Sequence, residues 1–105
     1  MLRIVDTIIT FISQVAPLVE AIGRHDPALA KQLRDALNST ALNAAEGSGQ
    51  RGARRTNHYC IACGSARESF TALRAAEAWR YIGPLPASIT SAMNQIIGTL
   101  NNVSR

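Results

Sequence analysis

From Ile4 the apolar positions fall at Ile4, Ile8, Phe11, Val15, Leu18 and Ile22. This alternating four-three spacing keeps one stripe of a helix against a partner. It predicts a first helix over about 2–23, ended by Gly23, in which Pro17 produces a kink or removes a hydrogen bond because proline has no amide donor. Asp26-Pro27 reads as the next start, an N-cap side chain followed by proline at the first helical position, where the missing amide costs nothing. The second helix, about 27–46, turns Leu29, Leu33, Leu37, Thr40, Ala41 and Ala44 inward and stops before Gly47, leaving Gly47 to Gly52 as a flexible joint. A long third helix over about 54–82 carries Tyr59, Ala62, Ala66, Phe70 and Leu73 on its main stripe. A second line on the same helix runs through Ile61, Ser65, Ala72 and Trp79, whose ends are five turns apart. Gly83-Pro84-Leu85-Pro86 breaks the chain, and Ile89, Met93, Ile96, Leu100 and Val103 repeat the spacing in a last helix over about 86–103.

No strand or repeat signal competes. Four helices with joints of about four to seven residues predict an all-α, antiparallel up-down four-helix bundle, a single domain over 1–105. The composition, 47% hydrophobic and 17% charged, excludes wholesale disorder. Between Asp6 and Glu20 the chain is free of charge but includes Thr7, Thr10, Ser13, Gln14 and Pro17, short of the ~20 mostly apolar residues of a bilayer span. Asp6 follows Arg3 closely and no small-residue cleavage site stands out, which argues against a signal peptide. A cytoplasmic protein without membrane contact is expected.

The net charge of +4 is localised. Residues 51–80 hold Arg51, Arg54, Arg55, Arg67, Arg74 and Arg80 against Glu68 and Glu77, and elsewhere acids and bases balance. Lys31 is the one lysine, and arginine's planar fork suits phosphate better than a lysine point charge does. A coding bias toward GC explains arginine in place of lysine but not the clustering. The Gly47–Gly52 joint follows a helix rather than a strand and lacks the Gly-Lys-Ser/Thr of a phosphate loop, so nucleotide hydrolysis is not expected. It does put mobile amides beside Arg51, Arg54 and Arg55 at a helix start, where the dipole favours anions. Contact with the backbone of RNA or DNA is the chemistry these residues suit, with Arg67 and Arg74 extending the set. The other reading is solvated or intersubunit charge, with the arginines paired, for example to Glu46.

Cys60 and Cys63, preceded by His58, invite a metal or redox reading, because Cys-x-x-Cys supplies two thiolates on one side of a turn. A closed zinc site needs four ligands and only His25 remains, so both cysteines are read as small buried core residues. No Glu-x-x-His pair occurs, and neither histidine has a nucleophile motif beside it. No enzymatic activity, metal or cofactor is expected. The second line on the third helix needs a cover, which predicts a homo-oligomer with Ile61, Gly64, Ser65 and Trp79 at its interface; the alternative is that this line packs within its own bundle. Tyr59, Phe70 and Trp79 are assigned to packing rather than to base stacking, so sequence-specific readout is not expected.

The run Gln32-Leu33-Arg34-Asp35-Ala36-Leu37-Asn38-Ser39-Thr40-Ala41-Leu42-Asn43-Ala44-Ala45-Glu46-Gly47, the small basic joint after it, and Ile61-Ala62-x-Gly64-Ser65 resemble a bacterial family. It is similar to the four helix bundle proteins encoded in intervening sequences of large-subunit ribosomal RNA genes. That family includes the accessory variability determinant of diversity-generating retroelements. Asn43 with Glu46-Gly47 is the most specific match, and the resemblance covers about residues 30–82. It implies a ring-shaped homopentamer with a basic surface that partners a reverse transcriptase and its template RNA. Thr40-Ala41 departs from the family, where a proline is usual, as does the mostly arginine joint.

Overall fold

The computed structural model describes residues 3–105. Four helices make up the architecture: α1 (Ile4–His25), α2 (Pro27–Ser48), α3 (Gly52–Ala78) and α4 (Ala87–Val103), with no strand among the described residues. Each helix packs antiparallel on its neighbour in the chain, and α1 closes the circuit against α4. The chain is an antiparallel four-helix bundle.

Its core is built from two unlike halves. α1 and α4 supply large side chains, among them Ile8, Phe11, Val15, Met93, Ile96 and Leu100. α2 and α3 supply alanine at half of their buried positions: Ala30, Ala36, Ala41 and Ala44 from one, Ala62, Ala66, Ala72 and Ala76 from the other. Facing large groups with small ones is the arrangement by which a protein interior packs closely. Short side chains also let two helix axes approach toward the lower end of the ~8–10 Å range, and α2 with α3 forms the most extensive helix pair here. In α1 the stripe continues by a four-step from Val15, so Val19 is buried and Leu18 only half-buried. On α2 Leu29 is half-buried and Ala30 takes the deep position; on α3 the same holds for Phe70 and Ser69.

α1 runs unbroken through Pro17, which is exposed. The carbonyl that proline leaves without a partner, that of Ser13, belongs to an exposed residue and has water available. By length and composition α1 is apolar enough to cross a membrane, although the sequence reading excluded such a span. In the bundle its stripe from Ile4 to Ile22 is core.

The joints differ from the expected four to seven residues. α1 and α2 are separated by Asp26 alone, whose amide donates to Ile22 O at 2.8 Å while its side chain accepts from Leu29 N at 3.0 Å. One residue thus caps two helices. α2 continues past Gly47 to Ser48, and α3 begins at Gly52 rather than Arg54, so only Gly49, Gln50 and Arg51 remain between them. Gly52 has φ of 60°, a left-handed value that glycine adopts without a steric penalty. α3 ends at Ala78, four residues before the expected stop. There the Tyr81 amide donates to Ala76 O and the Arg80 amide to Glu77 O, both at 3.0 Å, which is a Schellman closure with Arg80 at φ 63° where glycine is usual. The Glu77 carboxylate then accepts from Leu85 N at 2.6 Å and ties the eight-residue joint to α3.

Candidate functional site

Arg51, at the N-cap of α3, has extended backbone and no side-chain acceptor for the free amides of the first turn. Arg54 and Arg55 follow in that turn, and all three are exposed. The Arg55 guanidinium carbon lies 5.5 Å from the centre of the Tyr59 ring, a cation–π geometry that orients this side chain without neutralising it. Arg67 and Arg74 are exposed further along α3. The ion pairs among the described residues join Arg24 to Glu20 and Lys31 to Asp35. None of the five arginines has a carboxylate within that reach, and Glu46 is not a partner of Arg51, Arg54 or Arg55.

Antiparallel packing adds to this end of the bundle what the sequence separates. Arg3 precedes α1 and Arg105 follows α4, so both lie at the end where α3 begins; Cys60 Sγ, in the third turn of α3, is 3.5 Å from Ser104 O. Arg3, Arg51, Arg54, Arg55 and Arg105 there outnumber Asp6 and Glu46. A cluster of this sign attracts polyanions.

The residues of the Asn43-x-x-Glu46-Gly47 match hold α2 to α3 just inside the arginine turn. Asn43 Nδ2 donates to Ser39 O at 3.0 Å and to Ser39 Oγ at 3.2 Å, which leaves Asn43 Oδ1 to accept from His58 Nδ1–H at 3.1 Å. Ser39 Oγ meets Ser65 Oγ at 2.7 Å across the same seam. Gly47 is buried under the Tyr59 ring, whose hydroxyl meets Ser48 Oγ at 3.2 Å. The seam fixes the first turns of α3, and with them the arginines. Glu46 is exposed and makes no side-chain bond among the described residues.

The second line on α3 divides. Ser65 and Ala72 are engaged with their own bundle, Ser65 through Ser39 and Ala72 in the core, so Ser65 is not a free interface residue. Ile61 is 43% and Trp79 70% exposed, and nothing approaches the open face of Gly64. Sequence reasoning missed Ile9 and Leu42, 53% and 66% exposed on α1 and α2. With Ile61 they lie at similar heights, about 8–14 Å from the arginine end by helix rise, on three adjoining helices.

Two further assignments change. Cys63 is buried but Cys60 is exposed, because three residues of helix rotate the second thiol into the core and leave the first outside. No group of three histidine, cysteine or carboxylate side chains converges among the described residues. Trp79 is not a packing residue: it stacks on Tyr81 with centroids 6.3 Å apart and planes 16° apart, and Tyr81 stacks on His25 at 5.3 Å and 8°. The groove between α1 and α2, about 330 Å³, has Ile12, Ala16, Val19 and Leu37 in its lining, with Glu20 and Arg34 beside them.

In fold the chain is a helical bundle of a kind already seen in a solved structure. A protein of unknown function from the S23 ribosomal protein family of Bacteroides thetaiotaomicron superposes with a TM-score of 0.85 over 97% of this chain and 98% of that one, at 20% sequence identity. No protein-family profile matches the sequence. No curated protein matches it either.

Proposed function

We propose that this chain is a non-enzymatic, oligomeric accessory protein that binds the backbone of RNA or DNA through Arg51, Arg54, Arg55, Arg67 and Arg74. The observation that carries the reading is that these five arginines, Arg51 at the N-cap of α3 and the others within it, are all exposed and have no carboxylate within ion-pair reach among the described residues. Phosphate contact needs no shaped pocket, since displaced counterions supply much of the affinity. The Gly47–Tyr59 and Asn43–His58 contacts hold the arginine turn in place, and Asn43 and Gly47 belong to the most specific match of the family resemblance. The structural neighbour's family is named for a ribosomal protein, and the resemblance is to proteins encoded within ribosomal RNA genes, so both point toward RNA. On that reading the chain is a cytoplasmic member of the intervening-sequence and accessory-determinant family, forms a homopentameric ring, and serves a reverse transcriptase and its template.

The band of Ile9, Leu42 and Ile61 favours a second reading, an assembly protein whose ring contacts only other proteins. A salt titration separates the two. Arg51, Arg54 and Arg55 replaced together by alanine should weaken binding to RNA and duplex DNA and lower the slope of log affinity against log salt by roughly one unit per lost phosphate contact. Helical content and oligomer mass should stay unchanged. No binding by the parent protein at low salt would hand the lead to the assembly reading.

A further inference from the structure

We propose that Trp79, Tyr81 and Arg80 form a stacking site for an unpaired base of a single-stranded nucleic acid, at the end of the bundle opposite the arginine turn. The site rests on the nucleic-acid reading above and adds to it the strandedness of the partner.

The geometry begins with the Schellman closure. Left-handed backbone at Arg80 turns the chain within one residue, and the flanking rings of Trp79 and Tyr81 come to lie nearly parallel. His25, the last residue of α1, continues the row behind Tyr81. Three π-faces are thus aligned from two helix ends, and Tyr81 in the middle is half-buried. Trp79 ends the row with 70% of its surface in water. A large ring that is near-parallel to its neighbour and mostly in water offers a surface on which a base stacks, and any base has a π-face to offer.

Arg80 puts a guanidinium beside the rings. Arg80 is exposed, with no carboxylate within ion-pair reach among the described residues, and it occupies a backbone conformation that favours glycine. The carboxylates nearest in sequence keep their charge but are tied to backbone amides, Glu77 to Leu85 N and Asp26 to Leu29 N. Arg74 is exposed five residues before Trp79, and Arg67 two turns before that. By helix rise α3 spans about 40 Å from the first-turn arginines to the ring stack, with Arg67 and Arg74 between them but about 120–140° around the helix from Trp79. A duplex keeps its base faces inside and meets only the arginines.

The chain's single tryptophan makes the site directly readable. The probes are an oligodeoxythymidine, an oligouridine and a duplex of equal length, titrated against the intact protein while tryptophan emission is followed. Both single strands should quench Trp79 saturably and the duplex should not. Trp79→Ala should weaken single-strand binding about tenfold, in the range of one lost base–aromatic stack, with duplex binding unchanged. Trp79→Phe should restore part of that loss, and light scattering should give the parent mass for both variants. Single-strand binding that is indifferent to Trp79→Ala, or emission that no strand quenches while the arginines still bind duplex, would overturn this site and leave the arginine reading standing. A fall in oligomer mass in Trp79→Ala would also overturn it, by showing that a second copy covers the ring. No binding of any probe by the parent would remove both.

Discussion

Gly47 and Tyr59 interlock across the α2–α3 seam: a Cβ built on Gly47 would stand 2.8 Å from Tyr59 Cε1 and 2.9 Å from Cδ1. The ring is fully buried and its hydroxyl is engaged with Ser48, so it has nowhere to move. Glycine inside a helix costs about 1 kcal/mol relative to alanine, but overpacking a core costs about 1–3 kcal/mol, and against a rigid ring the second term wins. Gly47→Ala should therefore destabilise the protein by up to about 2 kcal/mol in chemical denaturation. A more stable Gly47→Ala would mean that the seam opens easily and does not hold the arginine turn.

Gly64 supplies the opposite case. It lies within α3, exposed, with nothing within 4 Å of a built Cβ, and Gly98 in α4 has the same surroundings. In a free chain both Gly64→Ala and Gly98→Ala should stabilise by about 0.5–1 kcal/mol through helix propensity. If another copy approaches closely over Gly64, only Gly64→Ala should lower the oligomer mass. Thermal melts beside light scattering on the two variants locate the interface, or exclude it from this face of α3.

Arg80 holds a left-handed conformation that costs a residue with a Cβ about 1–2 kcal/mol. Arg80→Gly should raise stability by about 1 kcal/mol, a melting shift of about 4–8 °C for a domain of this size. The same variant should bind single strands less well. Stability and binding moving in opposite directions would show that the arginine is retained for contact; a gain in stability with unchanged binding would make it incidental.

Cys60 and Cys63 should differ in reactivity although both are free. An aromatic disulfide reagent should titrate one thiol per native chain quickly and two after denaturation, because exposure governs access. Cys60→Ala should be close to neutral, and Cys63→Ala should cost about 1 kcal/mol in lost packing. Elemental measurement on the purified protein should show no stoichiometric zinc; about one zinc per chain would restore the metal reading of these thiols.

The sequence by itself determined the helix count, the stripe of α1 as far as Val15, that of α4 as far as Leu100, and the start of α2. Large apolar groups at four-three spacing and an Asp-Pro pair carry their signal in a single segment, before any partner is present. It also located the arginine cluster, since a charge run needs no fold to be visible. Tertiary packing decided the rest. Gly47 reads as a helix stop in the chain, yet it lies inside α2 because Tyr59, twelve residues on, needs the space above it. The buried side of α3 is mostly alanine, serine and cysteine, small residues common on any face, so the pattern could not separate its core line from Ile61 and Trp79. Its end at Ala78 follows from a Schellman closure with arginine in the glycine position, a backbone state that no residue at 80 announces. Arg3 and Arg105 join the arginine end, and His25 joins Tyr81, for one reason: antiparallel helices bring together residues that the chain keeps up to a hundred positions apart.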